Sequence, residues 1–203
     1  MSDAYLTTLH TLTLKQLADP DGLVAILEQD PAEVTAALER ATEEKTAMGA
    51  RGSFMITPSG RTLLDDAYPD WFATERGSAA VTAAMDDFEA GVNRQVLRLT
   101  TDWQTIEVDG ERQPNDHADA AYDAKVIDRL GKVLERTESV LAPLVELRPE
   151  IARFFDRAGE ALTRAASGET DYVSGVRVDS FHTVWFQLHE HILRITGRER
   201  PEE

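Results

Sequence analysis

The stretch that decides the fold runs from residue 30 to residue 61 and reads DPAEVTAALERATEEKTAMGARGSFMITPSGR. It opens with Asp30-Pro31, a helix-capping residue followed by proline at the first helical position. Glu33 stands where a capping-box carboxylate would stand. Apolar residues then recur at helical spacing and form the stripe that we expect to be buried: Val34, Ala37, Leu38 and Ala41. We predict a helix from this cap to about Lys45.

The residues after this helix predict a hairpin and then another helix. Gly49–Gly52 supplies a glycine-rich turn, Phe54–Ile56 suits a short strand, and Thr57-Pro58 is a second helix cap. A short helix over residues 20–28 precedes the stretch, since Asp19-Pro20 repeats the same cap. A first helix is expected over residues 4–18, with three leucines as its core candidates: Leu6, Leu9 and Leu17. Helices, hairpin and helix in this order are typical of a winged helix-turn-helix.

From residue 78 onward the apolar pattern is that of long helices packed on one another. One apolar face runs through residues 78–103, and a second helix is expected over residues 119–142. A third helix is expected to begin at Pro149. The last helix, over residues 178–196, is apolar on nearly all sides, which indicates a central position. Residues 104–118 are predicted to form a polar loop.

These patterns together predict the fold class and the domain organisation. We expect a mainly α protein with two domains. Residues 1–75 would form the winged helix-turn-helix with its small β-hairpin wing, and residues 76–203 would form a C-terminal helical bundle.

The composition is that of a globular chain with a strong acidic balance. The 203 residues carry a net charge of −16, which disfavours anionic membranes and lowers the expectation of nucleic-acid binding. The chain has no cysteine, so disulfides and thiolate chemistry are excluded. It shows neither an export leader nor an apolar run of about 20 residues, and we expect a cytoplasmic protein with no membrane partner. No nucleotide-binding glycine motif is present, and we expect no cofactor.

The outer face of the third helix is the candidate DNA-reading surface. In a regulator, Thr35, Glu39 and Arg40 would face the major groove, and Arg51 and Arg61 would contact phosphates. Glutamate can accept a hydrogen bond from a cytosine amino group, but phosphates would repel it. The alternative is a winged helix that docks a protein or forms a dimer.

A second set of polar residues recurs in the C-terminal part of the chain. It comprises Asn115, Asp116, His117, Asp119, Tyr122, Asp123, Asp179, His182 and His189. We expect His182 and His189 to share a buried helix face, with carboxylates supplied by the 115–119 segment. His191 is expected to be exposed to solvent.

Three interpretations of this polar set stay open. It could be a hydrogen-bonded network that holds the segment to the bundle, or a ligand or acid–base site around a histidine. It could also be a metal site, for which Asp179 and His182 would combine with His117 and Asp119. His182 and His189 cannot share one ion, because two helical turns separate them by roughly 10 Å.

Four motifs of this chain resemble those of actinobacterial MarR-like winged-helix proteins that carry a helical C-terminal domain. They are residues 27–34 (LEQDPAEV), 56–61 (ITPSGR), 114–123 (PNDHADAAYD) and 179–190 (DSFHTVWFQLHE). The resemblance implies a winged-helix module joined to a bundle, and a regulatory role. Modules similar to this one are also associated with phosphoenolpyruvate-utilising proteins. The resemblance carries over no catalytic residue.

We therefore expect a winged-helix transcriptional regulator whose bundle serves dimerisation, effector sensing or both. Its partners would be double-stranded DNA and a second copy of the chain. The alternative is an accessory subunit that does not bind DNA and docks a protein partner, of a phosphoenolpyruvate-utilising phosphotransferase-type enzyme. There the 115–123 segment and the last helix would form a docking or acid–base site around His182. An independent enzyme ranks third.

Overall fold

The computed structural model describes residues 4–27, 29–108 and 110–200. The chain is mainly helical with small antiparallel hairpins, which confirms the predicted mainly α class. It divides into two compact units. The first comprises the residues up to Gly77 together with those from His189 onward, and the second is Ser78–Leu188.

Up to Gly77, the described part of the first unit contains three helices, a hairpin and two further helices in chain order. The helices are α1 (Ala4–Lys15), α2 (Pro20–Leu27), α3 (Pro31–Glu43), α4 (Pro58–Trp71) and α5 (Ala73–Gly77), and the strands are β1 (Ala47–Ala50) and β2 (Ser53–Ile56). α1 is buried along most of its length and packs on α2, α3, α4 and β2.

The helix starts of this unit follow the caps that the sequence predicts. Asp19 accepts a hydrogen bond from the Gly22 amide at 2.8 Å, and Asp30 accepts one from the Ala32 amide at 2.8 Å. The Thr57 hydroxyl accepts one from the Gly60 amide at 3.2 Å. Side-chain caps of this kind satisfy amides that the first helical turn leaves without partners.

The hairpin places one face on the core and the other in solvent. Ala47 pairs with Ile56 and both are buried, whereas Met48 pairs with Met55 and both are exposed. Ala18 adds one antiparallel bridge to Phe54 on the other edge of β2. Alternation with a period of two residues explains why each pair shares a face.

The start of α4 packs so closely on the hairpin that only glycine fits at residue 60. A Cβ atom on Gly60 would lie 2.1 Å from the carbonyl oxygen of Thr46. The Thr57 hydroxyl also donates to the carbonyl of Lys45 at 2.7 Å. The Thr-Pro-Ser-Gly sequence therefore fixes the angle at which α4 leaves β2.

Leu17 does not lie in the core, contrary to expectation. α1 ends at Lys15, Gln16 adopts a positive φ of 66°, and Leu17 is 57% exposed. The helix stops there because Ala18 joins the edge of β2, which turns Leu17 outward.

The second unit consists of helices with one further hairpin. Its helices are α6 (Ala79–Asp87), α7 (Arg94–Gln104), α8 (Ala120–Leu147), α9 (Ala152–Ala166), α10 (Asp171–Ser174) and the first part of α11 (Phe181–Thr196). A 3₁₀ turn at Pro149–Ile151 precedes α9, so proline opens the helical segment as predicted. A π-helical turn at Phe88–Asn93 interrupts the helix expected over 78–103.

The segment predicted to be a polar loop forms a second hairpin, so that prediction is wrong. β3 (Thr105–Val108) pairs with β4 (Glu111–Pro114), and Thr105 lies opposite Pro114. The intervening Asp109-Gly110 is a strong hairpin signal. The flanking residues are polar because β4 is exposed throughout, so no apolar alternation marks the strands in the sequence.

The end of the chain belongs to the first unit, whereas the sequence placed it with the expected domain 76–203. α11 begins among residues of the second unit, but its part from His189 onward is grouped with α1, α4 and α5. The reason is that residues of this part of α11 contact distant residues of the first unit, such as His191 with His10 and Ile195 with Arg76. Local sequence patterns do not indicate such contacts. Among the described residues, no helix combines the length and apolar character needed to cross a membrane.

Candidate functional site

The outer face of α3 presents the candidate DNA-reading residues to solvent. Val34, Ala37, Leu38 and Ala41 are buried, as the helical spacing predicts, and Thr35, Glu39 and Arg40 lie exposed on the other side. The hydrophobic stripe therefore sets which side chains face outward.

A groove lies on this outer face, and we call it the α3 groove. It has a volume of about 460 Å³, and its apolar surface comes from Pro20 of α2, Leu38 of α3 and Phe54 of β2. The remaining lining residues are Thr35, Glu39, Thr42 and Glu43. The groove is therefore mostly apolar and carries two carboxylates with no lining cation.

The position of Phe54 in this groove depends on a glycine. A Cβ atom on Gly49 would lie 2.9 Å from Cε1 of the Phe54 ring. Gly49 and Phe54 are opposite each other in the hairpin. The absence of a side chain at residue 49 thus leaves room for the aromatic wall of the groove.

Arg40 is paired with residues of its own unit, and its side chain is 54% exposed. Its Nε donates to Glu44 Oε1 at 2.9 Å, and its guanidinium lies 3.9 Å from the centre of the Tyr5 ring. Tyr5 donates its hydroxyl hydrogen to Glu44 at 2.7 Å. The hydrogen bond from Arg40 lowers the pKa of Glu44, and burial raises the pKa of Tyr5. The only basic residue among α3's outward positions is therefore already paired with a carboxylate.

Arg51 and Arg61 are exposed but do not join the α3 groove. Arg51 lies in the turn between β1 and β2 with a φ of 53°, and Arg61 lies in the first turn of α4. Neither lines the groove that contains Thr35 and Glu39.

The 115–123 segment forms a compact hydrogen-bonded cluster at the start of α8, which we call the junction network. Asn115 donates to the carbonyl of Trp103 and to Asp123 Oδ1, both at 3.0 Å. His117 Nδ1 lies 3.0 Å from Asp123 Oδ2, and its ring packs on Trp103 with centroids 4.4 Å apart. The network ties the end of the second hairpin to α8.

The other predicted members of this segment act locally. Asp119 caps α8 by accepting from the amides of Ala121 and Tyr122, each at 3.0 Å. Asp116 accepts from the Ala118 amide at 3.0 Å. Tyr122 donates its hydroxyl hydrogen to the carbonyl of Asp102 at 2.8 Å. These hydrogen bonds explain the conformation of the segment and the start of α8.

The structure does not join the histidine of the last helix to this segment, contrary to expectation. Within the described residues, His182 makes no hydrogen bond to the junction network, and its partial burial lowers its pKa. Asp179 instead pairs with Arg157 at 2.9 Å. His189 is buried and lies 3.3 Å from a guanidinium nitrogen of Arg200. The prediction is wrong because the spacing of residues along a helix shows which side chains share a face, but not which residues pack against that face.

A buried cluster of three titratable side chains escaped the sequence analysis. His10 of α1 is hydrogen-bonded through Nε2 to His191 Nδ1 at 2.7 Å and through Nδ1 to the Tyr68 hydroxyl at 2.9 Å. All three are at most 3% exposed, and burial raises the pKa of Tyr68 to about 12. We call His10, Tyr68 and His191 the buried histidine cluster.

This cluster corrects the expectation that His191 is exposed to solvent. Its ring lies on the side of α11 that meets α1, a partner 181 residues earlier in the chain. The sequence around His191 does not indicate a contact with a residue 181 positions away, because local patterns report only on near neighbours. Among the described residues, no group of three or more His, Asp or Glu side chains is arranged to hold a metal ion.

Comparison with known proteins identifies no relative. No protein-family model matches the chain, and neither a curated protein nor a solved structure matches it.

Proposed function

We propose that the first unit is a winged helix-turn-helix module that docks a protein partner through the α3 groove. The order of α1, α2, α3, hairpin and α4, with Ala18 bridging to β2, supports the winged-helix description. The second unit would serve as the helical bundle on which this module is carried. The observation that carries the proposal is the apolar groove on α3, where a DNA-reading helix would present basic or amide side chains.

The chemistry of the groove defines its occupant. Phe54 and Pro20 offer most of the apolar contact, since Leu38 is only 2% exposed, and Glu39 and Glu43 supply negative charge. A segment with bulky apolar side chains flanked by lysine or arginine would satisfy both. Amphipathic segments bind grooves in this way, with apolar anchors giving affinity and charges giving selectivity.

The same charges disfavour duplex DNA at this face. DNA affinity depends on basic side chains that neutralise phosphates. The net charge of −16 adds an unfavourable long-range field. The Arg40 guanidinium is paired with Glu44, so its use on DNA would require that ion pair to break.

A transcriptional regulator is the second candidate, supported by the element order and by two exposed cations. In that function Arg51 in the hairpin turn and Arg61 in α4 would contact phosphates while Thr35 faces the bases. The helical unit would provide the dimer contact or an effector site. Binding to DNA upstream of its own gene would then weaken steeply with salt, and further in Arg51→Glu.

The test is a selection of random peptides of about 12 residues on the whole protein, followed by affinity measurements. We expect selected peptides to share an apolar centre with flanking Lys or Arg. The double variant Glu39→Lys, Glu43→Lys should weaken them by roughly tenfold, because it removes two exposed charge contacts, each worth roughly 0.2–1 kcal/mol, and adds repulsion from two lysines.

Two further variants distinguish the effect of the groove's charge on peptide binding from the effect of its shape. Glu33→Lys reverses one carboxylate on the same helix but outside the groove, as the single variant Glu39→Lys does inside it, and it should bind peptide as the wild type does. Gly49→Ala leaves every charge in place but pushes the Phe54 ring, and it should weaken binding. Selected peptides without basic residues, or equal loss in Glu33→Lys, would overturn the proposal.

A further inference from the structure

A second cleft in the first unit has the opposite chemistry, and we call it the arginine cleft. It has a volume of about 430 Å³ and lies beside α4, α5 and the end of α11. Its lining contains four arginines against three carboxylates: Arg76, Arg194, Arg198 and Arg200 with Asp65, Glu190 and Glu199. An excess of cations at one concave place is notable in a chain with 37 acidic and 21 basic residues.

Arg76 is the distinctive residue of this cleft. It is half-buried and donates Nε to the carbonyl of Ile195 at 3.2 Å and Nη2 to the carbonyl of Arg194 at 2.9 Å. Among the described residues it makes no ion pair with a carboxylate. Because a guanidinium has five N–H donors, these two contacts leave donors for a ligand.

The backbone is shaped to hold this guanidinium. Gly197, just beyond α11, has a φ of 69°, and a Cβ atom there would lie 3.0 Å from Cζ of Arg76. A side chain at residue 197 would therefore be strained and would crowd Arg76. The two carbonyls orient the guanidinium plane at the cleft.

The carboxylates of the cleft do not balance its cations. Glu190 is shared, since it pairs with Arg194 at 2.6 Å and with Arg200 at 3.5 Å. Asp65 lies 3.9 Å from Arg194, at the outer limit of an ion pair, and its side chain is 66% exposed. One half-buried carboxylate therefore serves two arginines, and Arg76 has none.

We propose that the arginine cleft binds a small molecule through a phosphate or carboxylate group held by Arg76, with Arg198 completing the contact. Guanidinium groups bind such oxyanions through paired hydrogen bonds that are stronger than neutral ones. The volume lies within the range of small-molecule sites, about 300–1,000 Å³. This inference does not depend on the α3 groove, whose lining shares no residue with the cleft.

The test is isothermal titration of the full chain with sodium phosphate and, separately, with sodium succinate. Both are run at a fixed ionic strength of about 0.15 M, with sodium chloride as the blank. We expect saturable binding of at least one anion and about tenfold weaker binding in Arg76→Gln. Arg61→Gln removes the same charge from an exposed site of the same unit and should not change the affinity.

Because Arg76 also holds the end of α11, a second variant and a folding check accompany the first. Arg198→Gln should weaken binding as well, and thermal unfolding by circular dichroism reports whether each variant stays folded. Absence of saturable binding for both anions overturns the proposal. Equal affinity in folded Arg76→Gln, Arg198→Gln and Arg61→Gln overturns it too. The heat of binding would then come from nonspecific association of the anion with the charged surface.

Discussion

The junction network and the buried histidine cluster are both built around histidine, but they differ in reach and burial. Asn115, His117 and Asp123 lie within nine residues of one another, and the His117 side chain is 28% exposed. His10 and His191 are separated by 181 residues and are each at most 2% exposed. The first arranges a turn, whereas the second joins the two ends of the chain within one unit.

The buried histidine cluster and the junction network should therefore contribute differently to the stability of the protein. A hydrogen bond between buried groups cannot be replaced by water when one partner is removed, so its loss costs more than that of a half-exposed contact. We therefore expect the long-range cluster to dominate stability.

His191→Ala should lower the free energy of unfolding by about 2–4 kcal/mol, because it opens a cavity and leaves His10 without its imidazole partner. Chemical denaturation followed by circular dichroism measures this. His182→Ala, on the same helix but without a hydrogen bond among the described residues, is the control and should cost less. A loss below about 1 kcal/mol for His191→Ala would contradict the account.

His117→Ala should cost only about 0.5–1.5 kcal/mol in the same assay, since water can reach part of the site. Asn115 keeps its bonds to Asp123 and to the Trp103 carbonyl in that variant. A loss as large as that of His191→Ala would reverse the ranking of the two regions. It would mean that the junction network holds the second unit together.

His182 provides the smallest effect, and it depends on pH. Burial lowers its pKa below 6.5 in the folded chain, so the unfolded chain binds the proton more readily. Its contribution to stability is therefore lost as the pH falls below about 6.5, until the folded-state pKa is passed. His182→Gln should lose less stability than the wild type between about pH 7.5 and pH 5.5. If the wild type and His182→Gln lose the same free energy of unfolding over this pH range, burial of the His182 ring does not affect the pH dependence of stability.

The sequence was most informative where structure depends on near neighbours. Asp30, Thr57 and the stripe through Val34 and Leu38 predicted α3, the start of α4 and which side of α3 is buried. Of the predicted polar set, Asn115, His117 and Asp123 contact one another, whereas the other members of 115–123 bond locally. Caps, helical spacing and short turns involve residues a few positions apart, so their physics is visible in the chain.

The sequence was least informative where a contact joins distant residues. Nothing near His191 indicated His10, and nothing near Arg76 indicated the carbonyls at the end of α11. Asp109-Gly110 is a hairpin signal for the second hairpin, but its polar flanks lack the apolar alternation that marks a half-buried strand. The α3 groove needed coordinates, because Pro20, Leu38 and Phe54 come from three elements.

We propose that α3 presents a docking groove for an apolar and basic protein segment. The most direct test is a titration of the isotope-labelled chain with a selected peptide, followed by amide chemical shifts. We predict that the largest shifts occur at Leu38, Glu39, Thr42 and Phe54, and that Gly49→Ala reduces them. Shifts centred on Arg51 and Arg61, produced by duplex DNA and not by the peptide, would contradict it.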